Sequence, residues 1–397
     1  MKKILALSSI RSDYDLMSGV YKFLANDNDI DFRFLVSGAH LSSSHGTTVE
    51  MIQSDNHKIL AELETLIDGD TLSSRLKTAS NLLHSSIDVV RLWLPDLIIY
   101  AGDREDVLIG GLLGTYLKIP TVHFFGGDHE EDNHADTPIR AATSKLSTAH
   151  IVSIEEHKRR LIALGESCQR IFVTGSVALD KFKFEKHNDF QRLKNILPQD
   201  KNLKNYALLI FHPLDTQKDT CALHMKNIIS VLLEQKISIC IGSPNSDPGS
   251  FELKEVISEY EGNEKIWYYG NLLREDFLTL YTHADFLIGN SSSGILEAAS
   301  IPLGVINVGS RQKNRFSPRN VIFCDPSTFA IQAAIEKAQS KGFIKSLRRL
   351  NNPYGDGNSC ERAYRILKDK DFKLMLNKSE DPLTVNNEIN QHGKGEF

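Results

Sequence analysis

The chain has 397 residues, 41% apolar and 24% charged, with a net charge of −5. That length exceeds one ordinary core, so two domains are expected, and the composition excludes global disorder. The charge balance gives no electrostatic footprint for nucleic acid, and no apolar run approaches the ~18 residues of a membrane span.

The five cysteines are scattered without CxxC or zinc spacing, which suits free thiols in a reducing cytoplasm. Met1–Leu7 opens like a leader, but Ser8-Ser9 and then Arg11 and Asp13 end it too soon, so Ile4–Ser9 reads as a first strand. Phe32–Ser37, Asp96–Ala101, Thr121–Phe125, His150–Ser153 and Ile171–Thr174 read as further strands, with Asp15–Ala25 and Glu155–Leu164 at helical spacing. The polar stretch Lys181–Asn205 reads as a linker. A second group follows: Tyr206–Phe211, Ile237–Ile241, Ile266–Tyr269, Phe286–Gly289, Gly304–Val308 and Val321–Cys324, with helical Leu223–Gln235 and Phe329–Gln339. Strands alternating with helices imply an α/β protein of two Rossmann-like, doubly wound domains facing one another across a cleft. Neither half carries GxGxxG, which argues against a simple dinucleotide dehydrogenase. The tail beyond Asn377 is polar and aperiodic and is expected to be disordered.

Ligands in open α/β sheets bind at the carboxyl ends of strands, so the loops there carry the argument. Most informative is Gly289-Asn290-Ser291-Ser292-Ser293-Gly294-Ile295-Leu296-Glu297, a strand turning into a helix through small residues. A helix start with close backbone access suits a diphosphate, and Glu297 can accept hydrogen bonds from ribose hydroxyls. The plainer reading of this loop is a serine N-cap with no ligand. His212 follows the strand Tyr206–Phe211, Asn245 lies in the loop after Ile237–Ile241, and Arg311 and Arg315 follow Gly304–Val308. His212, Ser291, Ser292, Ser293, Arg311 and Arg315 form a donor-rich face matched to a nucleotide within a nucleotide sugar.

In the first half the strand ends carry Arg11-Ser12-Asp13-Tyr14, Gly38-Ala39-His40-Leu41, Gly102-Asp103-Arg104-Glu105 and His123-Phe124-Phe125-Gly126-Gly127-Asp128. Arg11 can clamp phosphate, and Asp103 and Asp128 are charged groups that a core does not explain. His123 is equally readable as an imidazole satisfied within the sheet, and Glu130, Glu131 and Asp132 as a solvated loop face. Carboxylates in a cleft act as general acids and bases. The division of labour is then nucleotide on the second domain and sugar chemistry on the first.

These motifs, in this order, resemble the UDP-N-acetylglucosamine 2-epimerases, and most of all the hydrolysing branch serving sialic-acid and legionaminic-acid-type synthesis and surface polysaccharide. The resemblance runs from about Lys3 to Leu367; its most specific part is Gly289–Arg315, and Thr174-Gly175-Ser176 and Asn352–Asn358 also belong to it. It implies the GT-B fold, with domains 1–178 and 179–358 and a helix near 359–370 returning to the first. It also implies C2 deprotonation, anti elimination of UDP to a glycal, and water addition that frees the 2-epimeric sugar. Asp103, Asp128, Asp136, Arg140 and His40 become the catalytic candidates; Arg11, Asp13, His212, Asn245, Ser291 to Gly294, Glu297, Arg311 and Arg315 become the UDP-binding ones. No metal or redox cofactor is called for, and a cytoplasmic homodimer is expected. The chain departs from the family pattern at Asp128, where HxxGGE ends in glutamate, and at Arg140–Lys145, where RHAITK loses its histidine. A GT-B glycosyltransferase and a non-hydrolysing epimerase are therefore the alternative readings.

Overall fold

The computed structural model describes residues 1–69, 71–129, 136–184, 189–201, 203, 205–214, 218–244, 249–270 and 272–385. They fall into two compact units, the first drawn from the described residues of 1–128, 136–180 and 357–385, the second from 129 and the described residues of 181–356.

The first unit is built on a parallel seven-stranded sheet of β1 (Lys2–Ser8), β2 (Ile30–Ser37), β3 (Ile59–Leu63), β4 (Leu97–Ala101), β5 (Thr121–Phe124), β6 (Ala149–Val152) and β7 (Ile171–Val173). Its spatial order is β3-β2-β1-β4-β5-β6-β7. The second unit carries β8 (Tyr206–Ile210), β9 (Ser238–Gly242), β10 (Ile266–Tyr269), β11 (Phe286–Gly289), β12 (Val305–Val308) and β13 (Val321–Cys324), in the order β10-β9-β8-β11-β12-β13. Central strands such as Leu97–Ala101 and Tyr206–Ile210 are buried throughout, because helices cover both faces of a parallel sheet. In each sheet the order reverses once, between β1 and β4 and between β8 and β11. Such reversals leave a crevice at the carboxyl ends of the two strands, which is where a ligand is admitted.

Two stretches of the sequence reading change. The edge strand β3 was not anticipated: Ile-Leu-Ala-Glu-Leu is only half-buried and carries a charge in its middle. The expected linker 181–205 contains the helices Lys181–Phe184 and Phe190–Ile196; Asp189 caps the latter by accepting from the amides of Gln191 and Arg192. Arg192 then pairs with Glu275 and Asp276, tying this helix to Arg274–Thr282.

The last long helix, Ser359–Asp369, packs in the first unit against Arg11–Ala25. Its approach is close enough that a Cβ on Gly19 would meet Cys360 Sγ at 2.5 Å. Asp180, 1% exposed, accepts hydrogen bonds from the amides of Ser359 and Cys360 at 3.1 and 2.7 Å and so supplies two of the donors a helix start leaves open.

The tail is ordered further than its composition suggests. Arg170 donates to the carbonyls of Met375 and Asn377 and pairs with Glu380 at 2.6 Å, while Val385 is buried beside Leu161 and Ile171. Residues 386–397, the rest of that expectation, lie outside the described residues. Buried Glu166 is ringed by Lys378 (2.5 Å), Lys145 (2.8 Å) and His150 (2.9 Å). Burial works to raise its pKa, but His150, Lys378 and Lys145 together bring it down to about 2.

Two outcomes follow for stability. Asp180→Ala removes the cap and is expected to cost about 1–2 kcal/mol in urea unfolding, with Asp180→Asn losing less. Because Glu166 has a folded pKa below its ordinary 4.5, its contribution is present above that pH and fades as pH falls toward 2. Glu166→Gln should therefore lower stability at neutral pH and flatten the acid limb of a plot of stability against pH.

Candidate active site

At the first unit's reversal point, β4 ends in Gly102 at φ +101° and presents Asp103. Gly102 is fixed by His123 of β5, wholly buried, whose Nε2 lies 2.8 Å from the Gly102 carbonyl and whose Nδ1 lies 3.1 Å from Ser144 Oγ. A carbonyl can only accept, so Nε2 carries the proton and Nδ1 accepts from the serine. Burial lowers the pKa of His123 to about 3, so it stays neutral; it holds backbone.

β5 leads through Gly126 and Gly127 to Asp128. Gly127 has φ +76°, and a Cβ there would stand 2.2 Å from the His157 carbonyl, so the turn is pressed onto the helix Glu155–Ala163. The helix Asp136–Leu146 brings in Arg140, whose guanidinium bonds Asp103 and lies 3.6 Å from Asp128 Oδ2. Asp128 Oδ1 in turn lies 3.4 Å from His157 Nε2. Three elements thus converge two carboxylates on one guanidinium, with Arg140 and Asp128 only 10% and 9% exposed at the side chain. Such a group can move a proton and stabilise the charge that develops.

The other candidates of this unit have partners of their own. Asp136, at the head of its helix, meets Arg75 at 3.4 Å, and Arg75 also pairs with Glu105 at 2.6 Å. Arg11 opens the helix after β1, 3.4 Å from Asp15. Asp13 has a buried Oδ2 without a hydrogen-bond partner, and burial, then the Asp106 carboxylate, push its pKa well above the ordinary range. His40 is fully buried between Ser8 Oγ (2.9 Å) and Thr48 Oγ1 (2.8 Å), and burial lowers it to about 4.

The second unit's reversal point is organised by a residue the sequence reading passed over. Asn290 accepts from the His212 amide at 2.7 Å and donates to the His212 carbonyl at 2.8 Å, locking the end of β8 to the end of β11. Gly289, at φ +136°, lies so close to β8 that a Cβ would meet the Ile210 carbonyl oxygen at 2.0 Å. Ser291 caps the short helix Ser292–Leu296 by accepting from the Ser293 amide. Gly294 is small for a different reason than ligand access: its Cβ position faces Val305 and Leu287 at 2.8 and 3.0 Å, so it seats the helix on the sheet. Arg311 and Gln312 both donate to the Asn290 carbonyl, and Arg315 donates to Gln312 at 3.0 Å. Burial, then Arg311, lowers His212 to about 3. Glu297 is paired with Lys181 at 2.8 Å, a partner hidden in the supposed linker. Asn245 lies outside the described residues.

Two parallel doubly wound units, one carrying two carboxylates on a guanidinium and one a loop suited to anions, define an α/β enzyme with the GT-B fold. The chain belongs to the UDP-N-acetylglucosamine 2-epimerase family, whose pattern matches residues 22–368. It is 35% identical, over 93% of its length and 96% of the relative's, to a UDP-N,N'-diacetylbacillosamine 2-epimerase (hydrolyzing) of Legionella pneumophila. It is 30% identical, over 86% of its length and 88% of the relative's, to a GDP/UDP-N,N'-diacetylbacillosamine 2-epimerase (hydrolyzing) of Campylobacter jejuni. Among solved structures, the Neisseria meningitidis UDP-GlcNAc 2-epimerase bound to UDP-GlcNAc aligns with a TM-score of 0.77 at 19% identity, covering 93% of this chain and all of that one. That likeness establishes the shared fold.

Asn290→Ala leaves the amide and carbonyl of His212 without their side-chain partner. It is expected to destabilise the protein by about 1–3 kcal/mol, measured by chemical unfolding.

Proposed function

We propose that the protein is a hydrolysing UDP-N-acetylhexosamine 2-epimerase whose substrate is a UDP-linked diacetamido sugar of the N,N'-diacetylbacillosamine type. The observation that carries this reading is the cluster of Asp103, Arg140 and Asp128 at the carboxyl edge of the first sheet. Two carboxylates and a fixed cation are the equipment an elimination needs. A carboxylate takes the C2 proton, the C1–oxygen bond to the diphosphate breaks, and the electron pair becomes the C1=C2 bond of a glycal. Water then gives its oxygen to C1, and a proton returns to C2 on the opposite face. Arg140 keeps both carboxylates oriented through the cycle.

In the same reading the leaving UDP is held by Arg11, His212, the helix start at Ser291 to Ser293, Arg311 and Arg315. Asp13, Asp136, His40, Asn245 and Glu297 complete the site, Glu297 with one oxygen already given to Lys181. The diphosphate is itself a good leaving group, so the chemistry asks for no metal or redox cofactor. The substrate assignment follows the two hydrolysing relatives, which also leave the glycosyltransferase and non-hydrolysing alternatives without support. We place the enzyme in the cytoplasm as a homodimer, feeding sialic-acid-like sugars to surface polysaccharide. No helix among the described residues is long and apolar enough to cross a membrane.

Incubation with UDP-N,N'-diacetylbacillosamine and with UDP-N-acetylglucosamine in deuterated water tests this. The expected result is one UDP per free 2-epimeric sugar, deuterated at C2, with faster turnover of the diacetamido substrate. Asp103→Asn should reduce that turnover on the order of a hundredfold or more. Release of UDP without C2 deuterium, or a product that keeps its UDP, contradicts the reading.

A further inference from the structure

The acid–base cluster extends onto an element that no sequence motif marked. His157 lies in the first turns of the helix Glu155–Ala163 and is 2% exposed. Its Nε2 stands 3.4 Å from Asp128 Oδ1, while Arg140 stands 3.6 Å from Oδ2 on the other side of the same carboxylate. The loop that carries Asp128 is anchored to the same helix twice more. Gly127 abuts the His157 carbonyl, and Arg160, itself paired with Glu156, donates to the Gly127 carbonyl at 3.3 Å. We propose that His157 is a positioning residue for the epimerisation, holding the Asp128 carboxylate at the orientation in which it exchanges a proton with the sugar.

The physical argument turns on reach. An aspartate has two side-chain torsions and keeps its carboxylate near the backbone, so its position is set by where the loop is and by what grips each oxygen. Arg140 is shared with Asp103 and reaches Asp128 at Oδ2. A hold on Oδ1 from a different helix adds a second point of restraint to the one at Oδ2. Burial of both partners keeps water from competing for that place. The imidazole touches the sugar-activating acid rather than the sugar itself, and the inference rests on the epimerase reading given above.

The test is a variant series with two kinds of readout. His157→Phe keeps a ring of similar size and removes the nitrogen donor; His157→Gln retains an N–H donor at similar reach. Expected for His157→Phe is a fall in kcat on the order of tenfold or more, with KM and the UDP Kd unchanged. His157→Gln should recover most of the loss, and the effect of His157→Phe should vanish in an Asp128→Asn background. Independently of turnover, the His157 imidazole resonances followed by NMR at one fixed pH should shift in Asp128→Asn, because the neighbouring carboxylate is gone. Equal losses in both His157 variants, full activity of His157→Phe, or unmoved imidazole resonances overturn the proposal. Absence of turnover in the wild-type enzyme on every UDP-sugar instead defeats the epimerase reading, and the imidazole resonances still decide whether the contact exists.

Discussion

The arrangement of the first unit hangs on one ionic contact: the Arg140 guanidinium held between Asp103 and Asp128. Two carboxylates brought together repel, and partial burial strengthens the repulsion; a guanidinium with its planar fork of donors offsets it and fixes their spacing. Asp103 comes from the end of β4, Asp128 from the loop after β5, and Arg140 from the following helix. Neighbouring strands in parallel register make this convergence possible, and neutral His123 keeps the Gly102 turn in place beneath it.

The second unit solves a different problem with neutral groups. Its reversal point is closed by the amide of Asn290, which spans both backbone groups of His212, while Arg311 and Gln312 are drawn to the Asn290 carbonyl. What remains exposed there is a helix start, serine hydroxyls and arginine, all suited to an anion. In the proposed mechanism the two units divide the work chemically: carboxylates for proton transfer in one, donors for diphosphate in the other.

Much of this was legible from sequence, since central parallel strands are continuous apolar runs and their loops carry glycine and charge. Strands such as Ile266–Tyr269, Phe286–Gly289 and Val321–Cys324 coincide in both readings. What escaped was decided by tertiary context. Edge strand β3 escaped because it is short, nowhere fully buried, and interrupted by the exposed Glu62. The polar tail was read by composition, yet Lys378 and Glu380 are polar because they meet the buried charges Glu166 and Arg170. Asn290 was inside the most conspicuous motif but was hidden by the serines beside it, and Gly294 was credited with ligand access when it serves packing. Lys181 and His157 lie outside any motif, and only three-dimensional proximity reveals them.

The central claim is that proton transfer and UDP binding are carried by separate groups of residues. Calorimetric titration of UDP into the wild-type protein, Asp103→Asn and Asp128→Asn tests it most directly. The account predicts the same UDP Kd, within about twofold, for all three proteins, since neither carboxylate holds the nucleotide. A loss of UDP affinity of about tenfold or more in both folded variants would contradict it, because those carboxylates would then belong to the nucleotide site.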